Sequence, residues 1–138
     1  MNLYHDLRKP AKQADQRKEH FLQKDCAGWL KKELYLNGLP QVFYHVANER
    51  KATSIEHVRL KLQGVLSGVS DVVLPLKSEE YCGVYCELKT KNGSPSLEQK
   101  NFLNSVALYG HLAIVVNDFS TFKEVFAYYI KNIQKPCH

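Results

Sequence analysis

A chain of 138 residues with 44% hydrophobic and 24% charged residues carries enough apolar material for one globular core, and its composition is not that of a disordered segment. No apolar run approaches the roughly 20 residues of a membrane span, and the opening MNLYHDLRKPAKQADQRKEH lacks the apolar stretch of a secretory leader. The expectation is therefore a cytoplasmic protein (of a bacterium or a phage-infected cell, or nuclear in a eukaryote) with no membrane contact.

The formal net charge of +5 is unevenly placed: residues 1–62 hold 12 Lys and Arg against 7 Asp and Glu, whereas residues 63–138 hold 7 of each. A basic half of this kind attracts polyanions with salt-sensitive affinity. A solvated helix face plus a basic tail accounts equally well for so small an excess. The four cysteines, Cys26, Cys82, Cys86 and Cys137, follow no zinc spacing and read as buried thiols.

Residues 1–15 are polar and read as a loosely held basic tail of a single domain spanning 1–138. A helix is expected from about Asp15 to Leu36, with Leu22, Cys26, Trp29, Leu30 and Leu34 on its apolar stripe and a stop at Asn37-Gly38. Glu19 falls in line with that stripe, with Gln23 nearby. It either faces a polar pocket at the core's edge or sits in an exposed first turn favoured by the helix dipole. Gln41 to Val46 reads as a strand, and the loop ANERKATS leads to a helix from about Ile55 to Leu66. Gly64 and Gly68 then frame the approach to Asp71. Glycine at those positions serves a sharp turn or the close approach of a phosphate backbone.

The stretch GVSDVVLPLKSEEYCGVYCELKT carries the chemistry. Two apolar strands, one opened by Asp71 and one ended by Glu87-Leu88-Lys89, flank the polar hairpin Lys77-Ser78-Glu79-Glu80. Side chains alternate along a strand, so Tyr85, Glu87 and Lys89 share one face while Val84, Cys86 and Leu88 share the other. Antiparallel pairing brings Asp71 beside Glu87. Two carboxylates and a lysine together suit a divalent metal and a polarised water. The competing reading of Glu87 and Lys89 is a surface ion pair. Ser96-Leu97-Glu98-Gln99 matches a capping box, giving Gln99 a structural task beside any task at the site. A helix follows to about Tyr109, then a nearly all-apolar strand, His111 to Asn117, central in its sheet. Thr121-Phe122-Lys123-Glu124 is expected to open the last helix, whose Phe119, Phe122, Phe126 and Tyr129 read as core.

Taken in order, these motifs resemble the PD-(D/E)XK nuclease signature, and more narrowly the VRR-NUC (virus-type replication-repair nuclease) family. The matching elements are Glu19 and Gln23, Gly68 and Asp71, Glu87 and Lys89, and Gln99. The segment His45-Val46-Ala47-Asn48 looks like the family's His-x-Pro-Asn, with alanine in place of proline, and Ser70 stands where a proline often precedes the aspartate. The resemblance covers residues 19 to about 130. It implies a restriction-endonuclease-like α/β fold, a mixed sheet flanked by helices in the order α-β-α-β-β-α-β-α. It implies Mg²⁺ or Mn²⁺ held by Asp71, Glu87, the Leu88 backbone carbonyl and Glu19, with Lys89 and Gln99 acting on water and phosphate. Expected nucleic-acid contacts are His45, Asn48, Arg50, Lys51, Gly68, Lys91 and Lys100. The implied activity is endonucleolytic hydrolysis of branched DNA, such as four-way (Holliday) junctions or flaps in replication or repair, by a homodimer. The alternative is a non-catalytic nucleic-acid-binding module on the same fold.

Overall fold

The computed structural model describes residues 2–46 and 53–136. The elements are β1 (His5–Asp6), α1 (Glu19–Leu36), β2 (Tyr44–His45), α2 (Ser54–Leu62), β3 (Val72–Leu74), β4 (Val84–Leu88), α3 (Leu97–Leu108), β5 (Leu112–Val116) and α4 (Phe119–Lys131). The strands form one mixed sheet in the order β1-β5-β4-β3-β2. β1 and β4 run parallel to β5, whereas β3 is antiparallel to β4 and β2 antiparallel to β3. This is the mixed α/β architecture the motifs imply, enlarged by a fifth strand at the amino-terminal edge.

Alternation along the strands divides the core into two layers. Cys86, Leu88, Ile114 and Val116 bury against Leu22, Cys26, Leu30 and Leu34 of α1 and against Phe122 and Phe126 of α4. On the other face Ala113 and Val115 pack with Leu103 of α3 and with Tyr4. The aromatics of α4 are thus core, and the Phe122 and Phe126 rings stack at 4.3 Å. α1 ends where Gly38 takes a positive φ of 68°, which lets the Leu39 and Gly38 amides reach the Leu34 and Tyr35 carbonyls. α2 opens with a capping box on Thr53 and Glu56, yet none of its residues is buried, and Ile55, Val58 and Leu62 stay exposed.

Three local expectations change. Residues 2–15 are not a loose tail: His5 and Asp6 pair with Ile114 and Val115, and Tyr4 and Ala14 are buried. Asn117 clamps this segment, accepting from the Lys9 amide (2.8 Å) and donating to the Lys9 carbonyl (2.9 Å), while Lys9 Nζ meets Asp118 (3.0 Å). α4 begins two residues before Thr121, because the Asp118 carboxylate caps it by accepting from the Thr121 amide (2.9 Å). Cys26 and Cys86 are buried thiols, but Cys82 precedes β4 and is exposed; Cys137 lies outside the described residues.

A candidate metal centre at the end of the sheet

The register of β3 on β4 pairs Val72 with Cys86 and Val73 with Tyr85. One further step sets Asp71 opposite Glu87, on the face covered by α3. The Ser78 turn makes this register possible: its amide donates to the Tyr81 carbonyl (2.8 Å) and its hydroxyl accepts from the Tyr81 amide (3.0 Å). Asp71 is held from three sides. Its Oδ2 accepts from the Leu88 amide (2.9 Å), and its carbonyl accepts from the Val46 amide and from His45 Nδ1, both at 2.8 Å. That last bond fixes the His45 tautomer, since a carbonyl can only accept.

Glu87 is only 2% exposed. Its Oε1 accepts from Gln99 Nε2 (2.9 Å) and lies 3.3 Å from Lys89 Nζ. Its Oε2 is buried and receives no hydrogen bond from the described residues. Burial first, and then the Asp71 charge, push the Glu87 carboxyl up to about 8, with Lys89 opposing. Burial also raises Asp71, against its hydrogen bond with Glu87. Two acceptors pressed together out of water share a proton or hold a cation. The Leu88 amide points toward Asp71, and the carbonyl of one strand residue points the same way as its amide, so the Leu88 carbonyl opens toward the pair.

The donor set is therefore oxygen from two coupled carboxylates and one carbonyl, the chemistry of Mg²⁺ or Mn²⁺ rather than of a soft metal. An orphaned, buried Glu87 oxygen fits such an ion. Glu19 lies in the first turn of α1, the helix that covers the other face of the sheet, with Gln23 Nε2 at 3.5 Å from its carboxylate. Among the described residues no group of three or more His, Cys, Asp or Glu side chains gathers to hold a metal, so the cluster is a pair and not a triad.

Gln99 caps α3 as read, its Oε1 accepting from the Ser96 amide (2.9 Å), and its Nε2 donates to Glu87 (2.9 Å). Gly68 has a φ of 79°, and a Cβ there would stand 2.6 Å from the Glu98 carbonyl carbon. Its close neighbour is thus the first turn of α3, which the approach to Asp71 presses against. His45, expected at the nucleic acid, is exposed and through Nδ1 also orients the Asp71 backbone. Asn48, Arg50 and Lys51 lie outside the described residues. Lys91 and Lys100 are exposed at this same end of the sheet. Local patterning left Arg8, Lys9, Asn117 and Asp118 unassigned: the Lys9 contacts join segments more than a hundred residues apart, and Arg8 reaches the Gly93 carbonyl from a segment 85 residues away.

Neither a family model nor a curated protein matches the sequence. Among solved structures the chain matches that of a VRR_NUC domain protein with a TM-score of 0.73 at 23% identity, covering 87% of this chain and 93% of that one. The fold is thus that of a VRR-NUC domain, restriction-endonuclease-like in its mixed sheet and flanking helices.

Proposed function

We propose that this chain is a metal-dependent DNA endonuclease that hydrolyses phosphodiester bonds, selective for branched substrates such as four-way junctions or flaps and working as a homodimer. The observation that carries the reading is the buried Asp71–Glu87 pair beside Lys89, with a Glu87 oxygen that no donor among the described residues satisfies. The likeness to a VRR_NUC domain protein supports it at the level of fold. No helix of the described chain is long and apolar enough to cross a membrane.

Asp71, Glu87 and the Leu88 carbonyl would hold Mg²⁺ or Mn²⁺. Once bound, the ion supplies charge against the phosphate oxygens and lowers the pKa of an attacking water. Lys89 is held by Glu87 and only partly exposed, so its ammonium is preset to orient that water and to meet charge developing on the phosphate. Gln99 fixes the Glu87 rotamer through a donor that belongs to a helix cap, so its position is set by the backbone of α3. His45 and the Leu88 amide hold Asp71 from opposite sides. Glu19, at the start of α1, is the remaining carboxylate of the proposed set. Having no place in the pair, it is expected to matter less than Asp71 or Glu87.

A symmetric dimer suits a four-way junction, where two strands are nicked alike. The test is purified protein against labelled linear, flap and four-way DNAs with Mg²⁺, Mn²⁺ or EDTA. Cation-dependent cleavage with a preference for the branched forms is expected. Binding without cleavage under every condition would leave only a binding module.

A further inference from the structure

Register carries the site's face of the sheet across to the amino-terminal strand. Val115 of β5 is partnered by Asp6 of β1 on one side and by Glu87 of β4 on the other. The three strands are parallel, so two residues further on Arg8, Asn117 and Lys89 form the next row on that face. Strand spacing of about 4.8 Å puts Arg8 about 10 Å from Lys89. Beside Arg8 opens a concavity of about 380 Å³ lined by Asp6, Arg8, Lys9, Lys91, Gly93 and Asn117.

The cations of this concavity are anchored and still have donors to spare. Arg8 donates through Nε and Nη2 to Asp6 (2.8 and 2.6 Å) and through Nη1 to the Gly93 carbonyl (2.9 Å). A guanidinium carries five N–H donors, so two remain. Lys9 Nζ is held by Asp118 (3.0 Å) and Lys91 Nζ by Gln16 Oε1 (3.2 Å), each with two donors over. Both nearby carboxylates are thus already engaged by cations. The Asp6 carboxyl is held below its ordinary value, first by its hydrogen bond to Arg8 and against burial, with Lys100 of α3 adding to the effect. Lys100 therefore faces the same area from the α3 side.

We propose that Arg8, Lys9 and Lys91 form a binding pocket for one internal phosphate of the strand being cleaved, on the β1 side of the scissile bond. The inference rests on the nuclease reading above. Neighbouring phosphates of a strand wind around the axis and lie about 6–7 Å apart through space, so the separation of about 10 Å places that phosphate one or two nucleotides from the cut. Anchoring to Asp6, Gly93, Asp118 and Gln16 spares the pocket the ordering of long side chains on binding.

The experiment measures the affinity of the full chain for a labelled four-way DNA in EDTA, as a function of salt, with uncharged methylphosphonates placed singly at positions one to five on either side of the bond that Mn²⁺-dependent cleavage identifies. Wild type should weaken at the first or second phosphate from the cut, on one side only. Lys9→Gln/Lys91→Gln should lose that sensitivity, and its log K against log salt slope should fall by about 0.9, the value for one phosphate. Lys91→Gln alone removes only a surface contact to Gln16, so it should fold normally and shift the same way, and Lys91→Arg should restore the wild-type profile. Retention of the wild-type slope and methylphosphonate profile by the folded double variant would overturn the pocket while leaving Mn²⁺-dependent cleavage intact. Wild-type protein that neither binds nor cleaves DNA would overturn both the pocket and the nuclease reading.

Discussion

Replacing Glu87 with glutamine should stabilise the metal-free protein at alkaline pH. The Glu87 carboxyl ordinarily titrates at 4.5 and in the folded chain at about 8. Across that interval the folded state keeps a proton that the unfolded chain has released. The stability tied to Glu87 is therefore fully present below about pH 4.5 and is lost as pH rises through about 8. A difference of 8 against 4.5 at 1.36 kcal/mol per unit sets an upper bound of about 5 kcal/mol. Asp71, also raised, acts in the same sense. For a domain of this size that bound corresponds to a Tm change on the order of 15 °C. Glu87→Gln keeps the shape, cannot ionise, and can donate toward Asp71. Calorimetric Tm in EDTA from pH 5 to 9 should fall more steeply for wild type than for the variant, with the two meeting near pH 5. Their difference isolates this site from other titrating groups. Mn²⁺ at 100 times its Kd should return about 2.7 kcal/mol to wild type and much less to the variant. Parallel wild-type and variant curves would refute the claim that burial beside Asp71 perturbs Glu87.

Three further substitutions probe the supports of the pair. Gly68→Ala combines a positive φ with a Cβ 2.6 Å from the backbone of Glu98, so it should destabilise by about 2 kcal/mol or more in a denaturant titration. Gln99→Glu keeps an oxygen for the Ser96 amide but puts a carboxylate against Glu87; helix content by circular dichroism should hold while cleavage drops about 100-fold. Lys89→Ala should abolish turnover and leave Mn²⁺ binding by calorimetry within a few-fold, because an ammonium ligates no cation.

What the sequence made legible was what depends on near neighbours. The Asp71–Glu87 meeting follows from a hairpin whose register the polar turn and two apolar runs determine, and the capping task of Gln99 follows from a four-residue motif. The stripes of α1 and α4 came through because burial on one face imposes helical spacing. β1 was hidden for the opposite reason. Two polar residues, His5 and Asp6, carry no alternating pattern, and their pairing with β5 spans more than a hundred residues. The start of α4 was read at the Thr121 box, but Asp118, three residues earlier, caps the helix where β5 ends beside the Lys9 clamp. For Glu19, helical phase gives the direction in which a side chain leans and leaves open what it meets across the sheet. The bond of His45 to the Asp71 carbonyl was not legible in its motif, because it arises from cross-strand geometry.

The central claim is that Asp71 and Glu87 hold the ion on which phosphodiester hydrolysis depends. Its most direct test is single-turnover cleavage of a labelled four-way DNA by wild type, Asp71→Ala and Glu87→Ala in Mn²⁺, with folding checked by circular dichroism. Wild type should cleave in Mn²⁺ and not in EDTA, and each folded variant should lose cleavage while still binding the DNA. Cleavage at the wild-type rate by either variant, or by wild type in EDTA, would contradict the account.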